Sequence, residues 1–308
     1  MSSFALKANP YEMVLDYLPH IEHAVLSTIL FPLRLAQRAG RIAAGAVQLF
    51  RPDLFFKKTY PEAQEITIES VDSLSHFAPK EKLEHFVRKV EEVSQKLKLK
   101  QCLKPYSSKE KDSNSSHGSN LFSFSPIPIF LNSTSLKASN AQIDAIVAHE
   151  ASHSASNDKA KRYLLSCCLL IAEIGAYYSG YTYVLPLIEG AASLIENAYQ
   201  RRIEMAADTK AMEILNTNEG TLESMGYHEK IYKEQRTKDE TAFNADPKGY
   251  FHTKNSWLNC TRKLFSLFSQ KLVVSVISPE GNYRKDLYHP PLSKRIVNAL
   301  KFQPQVFS

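Results

Sequence analysis

The 308-residue chain has only four cysteines, Cys102, Cys167, Cys168 and Cys260, and none forms a Cys-x-x-Cys pair. Adjacent Cys167 and Cys168 cannot easily bridge each other, because a disulfide needs wider separation. The spacing excludes a disulfide framework and a thiolate zinc site. Reduced thiols in an intracellular protein, cytoplasmic or membrane-associated, are expected. One-sided charge is also scarce. The net charge is +6, and basic residues are scattered among acids. With no recognisable motif for it, nucleic-acid binding is not expected. The mild excess permits contact with an anionic membrane surface. A basic n-region followed by an unbroken apolar run is missing from MSSFALKANPYEMVLDYL, so no classical signal peptide is expected.

Long hydrophobic runs are rare as well. Residues 163–188 form the most apolar stretch, with Glu173 as its only charge, but Gly175, Gly180 and Pro186 interrupt it. A run from Ala24 to Phe31 is too short to cross a bilayer. With 44% hydrophobic and 23% charged residues, the composition is that of a globular chain able to build one large core.

Helical periodicity covers residues 11–50, broken at Pro32. Arg34, Arg38 and Arg41 share one helical face there. Such a face either lies on a membrane surface or is the solvated side of a packed helix. Residues 79–98 repeat Leu83, Phe86, Val87, Val90, Val93 and Leu97 at three- and four-residue spacing, which predicts a helix. A strand is expected over 99–105. The polar stretch YSSKEKDSNSSHGSN follows and reads as a mobile loop over 107–120. LFSFSPIPIFLN, residues 121–132, returns to strand composition. Pro126 and Pro128 lack N–H donors, which predicts an edge strand or a strand entrance. Ser139 and Gln142 have capping-box spacing before the stripe Ile143, Ile146 and Val147. Further helices are expected at 190–215, at 256–276 and after Pro290-Pro291. Residues 216–253 read as polar and turn-rich.

His149-Glu150-Ala151-Ser152-His153 is HExxH. On a helix, residues four apart lie on one face, so both imidazoles can reach one ion. Zinc accepts neutral imidazole nitrogen and leaves a position open for water. Glu150, beside the first ligand, is placed to act as general base. A catalytic zinc usually takes three protein ligands. Glu204-x-x-x-Asp208 offers the third: Glu204 as ligand, with Asp208 holding a ligating imidazole in the right tautomer. If His149, His153 and Glu204 share an ion, residues 163–195 must leave and return on the same side. That predicts a buried or interfacial helical hairpin rather than a single membrane crossing.

HEASH followed by EMAAD resembles the HtpX-like and CAAX prenyl endopeptidase family of HExxH zinc metallopeptidases, metallopeptidase family forty-eight of the gluzincin type. His289-Pro290-Pro291-Leu292 with Arg295-Ile296 resembles the family's late H-P-x-x-x-R-I segment, and IPIFLNSTSL resembles the strand and connection before HExxH. Ala151 and Ser152 depart from the usual aliphatic-then-small pair. The resemblance implies a mainly helical α+β, zincin-like domain with a small sheet and an HExxH active-site helix. It implies one zinc per chain on His149, His153 and Glu204, and places His289 in the catalytic cleft beside Glu150. We expect an N-terminal helical extension, 1–60, and a metallopeptidase domain, 61–308, with a less-matched insertion at 216–285. The function implied is zinc-dependent endopeptidase action on a protein or peptide substrate. The rival is a catalytically inactive relative that binds zinc or a membrane.

Overall fold

The computed structural model describes residues 10–107, 114–116, 118–245, 277–283 and 286–305. Among these, a mainly helical chain surrounds one small sheet. The helices are α1 (Pro10–Ile29), α2 (Phe31–Phe50), α3 (Pro52–Thr59), α4 (Lys80–Leu97), α5 (Asn140–Ala155), α6 (Asp158–Tyr178), α7 (Leu185–Leu215), α8 (Glu219–Ala245) and α9 (Leu292–Lys301). The strands are β1 (Gln64–Glu65), β2 (Leu103–Ser107), β3 (Ser115–Ser116) and β4 (Ile127–Phe130), in spatial order β1-β2-β4-β3. Only the β2–β4 pair is parallel.

β4 is an interior strand, contrary to the edge position that its prolines suggest. The reason lies in donor alternation. Ile127 and Leu131 donate toward β2, to Cys102 and Tyr106 carbonyls at 2.9 and 3.1 Å. Pro128 therefore turns its missing donor toward β3. That strand pairs only with Ile129 and Phe130, so no ladder bond is lost. All four residues of β4 are buried because both faces are covered. Ile127 and Ile129 join the main core with Leu83, Phe86 and Val90 of α4 and Ile143 and Val147 of α5. Phe130 stacks on Tyr60 and packs against Phe56 of α3.

The loop expected over 107–120 is shorter in its described part. Ser107 ends β2, and Ser115–Ser116 form β3. Residues 216–253 also differ from expectation, since α8 runs through most of them for 27 residues. Gly220 lets α8 cross α5 closely: a Cβ there would lie 1.8 Å from the Ala141 carbonyl oxygen. The helix expected at 256–276 lies outside the described residues.

The apolar segment does return on itself. α6 and the start of α7 form a hairpin around a short 3-10 turn, Thr182–Val184. α1 packs along α7 and α2 along α6. Arg38 is fully buried, so the face it shares with Arg34 and Arg41 is not wholly solvated. It ion-pairs with Glu173 of α6 and, at 2.7 Å, with Glu189 of α7. Burial, then the hydrogen bond with Glu173, pushes the Glu189 carboxyl up to about 7 against the pull of Arg38. These buried charges explain why acids interrupt the apolar stretch: they tie three helices together. Among the described residues, no helix is long and apolar enough to cross a membrane.

Candidate metal centre and catalytic cleft

Two helices carry the donors. α5 begins with a complete capping box: Ser139 Oγ accepts from the Gln142 amide, and the Gln142 side chain accepts from the Ser139 amide. This fixes the start of the helix that bears His149, Glu150 and His153. α7 packs extensively on α5 and presents Glu204 and Asp208, both nearly fully buried. Ala151 and Ser152 are completely buried, and the Ser152 hydroxyl donates to the Ala148 carbonyl at 2.6 Å. The small residues within the motif therefore suit a helix enclosed on that side, and the extra hydroxyl is satisfied.

The two imidazoles meet edge to face, with Nε2 atoms 3.2 Å apart. Glu204 Oε2 lies 3.3 Å from His149 Nε2 and 3.6 Å from His153 Nε2. Zinc bonds to such donors are about 2.0–2.1 Å long, so tetrahedral ligands stand roughly 3.3–3.5 Å apart. The three donors match that spacing, and two neutral-capable imidazoles plus one carboxylate are a set that zinc accepts.

The other ring nitrogens are held by carboxylates. His149 Nδ1 donates to Asp208 at 2.9 Å, and His153 Nδ1 donates to Asp158 at 2.9 Å. With the ring neutral, as a metal ligand must be, each carboxylate fixes the tautomer whose Nε2 carries the lone pair. Asp208 is braced in turn by two 2.7 Å hydrogen bonds from the Arg295 guanidinium on α9. Gln200, one turn before Glu204, donates its amide to the other Glu204 oxygen. Burial alone would lower the His149 pKa, but Asp208 and Glu204 overcome it and raise it to about 10. Burial works against ionised Glu204 and Asp208 too. The His149 and His153 hydrogen bonds nonetheless hold Glu204 well below the usual carboxylate range, and His149 with Arg295 brings Asp208 down to about 2. The cluster is thus a set of strong, mutually attracting charges that a divalent cation can reorganise.

The sequence did not single out Asp158. It stands five residues after His153, across a helix break. α5 ends at Ala155 with Ser156 as its C-cap, and Asn157 takes a left-handed conformation, φ 56° and ψ 36°. Asparagine tolerates this better than most residues. Its side-chain oxygen accepts from the Leu121 amide and the Ser119 hydroxyl. The turn swings the first residue of α6 back onto His153. Five-residue spacing alone carries no such signal, because the return depends on one positive φ.

Glu150 is half-buried, and among the described residues nothing pairs with its carboxylate. It lines a cleft of about 700 Å³ beside the three donors, together with Tyr232, His228 and His289. His289 precedes the two prolines that lead into α9. Its Nε2 lies 3.9 Å from Glu204 Oε2, and its Nδ1 is held by Asp286 at 2.8 Å. That hydrogen bond raises the His289 pKa against the effect of burial. The structure therefore brings His149, Glu150, His153, Glu204, Asp208 and His289 to one place, and adds Asp158, Arg295, Gln200 and Asp286.

No curated protein and no solved structure matches this chain. The sequence does match the model of peptidase family M48 over residues 81–302, a span that holds both donor helices, Asp158 and the His289–Arg295 segment. With that match over most of its length, the chain belongs to peptidase family M48.

Proposed function

We propose that the protein is a zinc-dependent endopeptidase with one zinc per chain, held by His149, His153 and Glu204. The observation that carries this reading is the donor triangle, 3.2 to 3.6 Å on a side, with both Nδ1 atoms already committed to carboxylates. When bound, zinc supplies a Lewis acid that polarises the scissile carbonyl and acidifies water. Glu150 takes the proton from the attacking water and passes it to the departing amine. Its lack of an ion-pair partner suits a carboxylate that must accept and release a proton. His289 donates a hydrogen bond from Nε2 to the oxyanion that develops on the carbonyl oxygen. Asp286 holds its ring from behind.

The peptide enters along the cleft. β3, not β4, is an edge strand of the described sheet, as β1 is at the other end, and Asn114 just before β3 lines the cleft. An extended substrate would pair there through its backbone, which tolerates many sequences. The far end of the helical layer supports a second reading, contact with a lipid surface. Residues 24–33 and 174–188 carry no charge, and Tyr177, Tyr178, Tyr181, Tyr183 and Leu187 are all more than half exposed. Tyrosines suit the boundary between acyl chains and water.

The decisive experiment combines metal analysis with turnover. Wild-type protein should hold one zinc, and His149→Ala/His153→Ala should hold none. Glu150→Gln should keep the metal and lose peptide cleavage by about 100-fold or more. Equal cleavage by wild type and Glu150→Gln would remove Glu150 as the base. Full zinc in the double histidine variant would remove the site.

A further inference from the structure

A second cavity, about 320 Å³, lies between α1, α2, α6 and α7. Arg34, Arg41, Lys159 and Arg162 line it. Among the described residues, of these four only Arg41 has an ion pair, a 4.0 Å contact with Glu196. Among the described residues, Arg34, Lys159 and Arg162 have no acidic partner. The acids at the wall are already engaged. Glu189 pairs with buried Arg38, and Glu196 sits between Arg38 and Arg41. Counting Arg38 and its partner Glu173, five cations face three carboxylates.

Like charges gathered in excess of their counter-charges cost free energy. Burial and the neighbouring Arg162, itself an exposed side chain, press the Lys159 pKa downward. An incoming anion would relieve that repulsion. The wall also holds neutral groups without partners. Ser27, 1% exposed, and Asn197, 3% exposed, line the cavity, and neither Ser27 Oγ nor Asn197 Nδ2 has a hydrogen-bond partner. Both can donate. Buried donors rarely stay unsatisfied.

The cavity's position indicates what anion it takes. Gln200 lines it and donates to the Glu204 carboxylate. Lys159 follows Asp158, which holds His153, and the charges of Glu150 and Glu204 act on it. Tyr288 lines this cavity while His289, its neighbour, lines the catalytic cleft. Likewise Gln200 lines this cavity and Arg201 the catalytic cleft, so the two sites adjoin along their walls. We propose that this cavity is a specificity pocket for a carboxylate of the substrate, either an acidic side chain close to the scissile bond or a free C-terminus. Lys159 and Arg162 contribute the charge, and Ser27 and Asn197 add hydrogen bonds. The inference rests on the peptidase reading and adds its substrate class.

The test uses the zinc-loaded full chain and a peptide library read by mass spectrometry. One arm has Glu or Gln at each position with blocked termini. A second arm compares a free C-terminal carboxylate with its amide. One arm should show a preference for the carboxylate at a fixed position of about ten- to a hundred-fold, the range for a charged hydrogen bond. In Lys159→Gln/Arg162→Gln the ratio should fall to about one, and in Arg162→Glu it should turn toward lysine. Zinc content and thermal unfolding report whether the variants fold. Affinity is also measured on zinc-loaded Glu150→Gln by fluorescence anisotropy, which needs no turnover. Acid-selective binding without cleavage by wild type would support the pocket and count against the peptidase. Cleavage without a carboxylate preference, or a preference that survives both variants, overturns the pocket and leaves the peptidase standing. If Lys159 and Arg162 govern binding to phosphatidylserine vesicles but not to peptides, the anion is a lipid headgroup and the proposal fails.

Discussion

Asp208→Asn tests whether the outer carboxylate tunes the metal site or only braces the fold. The wild-type carboxylate accepts from His149 Nδ1 at 2.9 Å and from Arg295 at 2.7 Å twice. The amide keeps the shape and one acceptor oxygen, but loses the charge and presents an NH2 group to one of its partners. A hydrogen bond to a charged group contributes about 1.5–3 kcal/mol. Since tenfold in affinity is about 1.4 kcal/mol, losing the charge on the His149 side should weaken zinc about 10- to 100-fold, the range seen when a metal ligand's support is removed. The Arg295 side has a separate cost. Breaking a buried pair by removing one charge costs about 3–5 kcal/mol, and Arg295 is about one-fifth exposed, which places it at the lower end. Zinc affinity is measured by chelator competition and stability by urea unfolding of the metal-free protein. Adding Arg295→Gln removes the stranded cation. Stability should then recover in part, and zinc affinity should not. Wild-type affinity in Asp208→Asn, within twofold, would refute the reasoning. So would an affinity that recovers together with stability in the double variant.

His289→Ala should lower turnover by about 100-fold, as loss of an oxyanion donor does, with unchanged zinc content by elemental analysis. Loss of zinc would make His289 a ligand instead. The raised carboxyl of Glu189 predicts a pH slope. Its folded pKa of about 7 exceeds the ordinary value of 4.5. The folded state then holds more protons between those values, so stability should fall as pH rises through that window and level off above about 7. Glu189→Gln should flatten the slope in urea midpoints taken across the window. An unchanged slope would show that Glu189 does not titrate there. Finally, flotation with lipid vesicles should recover the wild-type protein, and Tyr178→Ser/Tyr183→Ser/Leu187→Ser should reduce recovery severalfold. Equal recovery would exclude the tyrosine-rich end as the lipid contact.

Local patterns in the sequence carried much of the architecture. Three- and four-residue periodicity marked α4, and Ser139 with Gln142 marked the start of α5. Four-residue spacing put His149 with His153, and Glu204 with Asp208, each on one helical face. These features depend on contacts within one turn of chain, so residue order alone specifies them. A topological argument went further: three donors for one ion required the apolar segment to turn back, and α6 and α7 do so.

Features that depend on distant elements were not legible. Pro128 looked like an edge residue because its neighbours were unknown. Only the sheet shows that its missing donor faces the side where β3 is too short to need it. Arg38 looked like part of a basic surface face, since the partners that let it be buried, Glu173 and Glu189, are more than a hundred residues away. α8 was hidden by its polarity, which suits a helix that is exposed over most of its length. The same division holds at the site. HExxH and E-x-x-x-D named the candidate donors by spacing, but the supporting partners arrive from elsewhere: Asp158 through one left-handed asparagine, and Arg295, 87 residues beyond Asp208. A sequence can state which side chains carry the chemistry when their spacing is helical. Which groups hold them in place, and what charge gathers nearby, is decided only when separate helices pack.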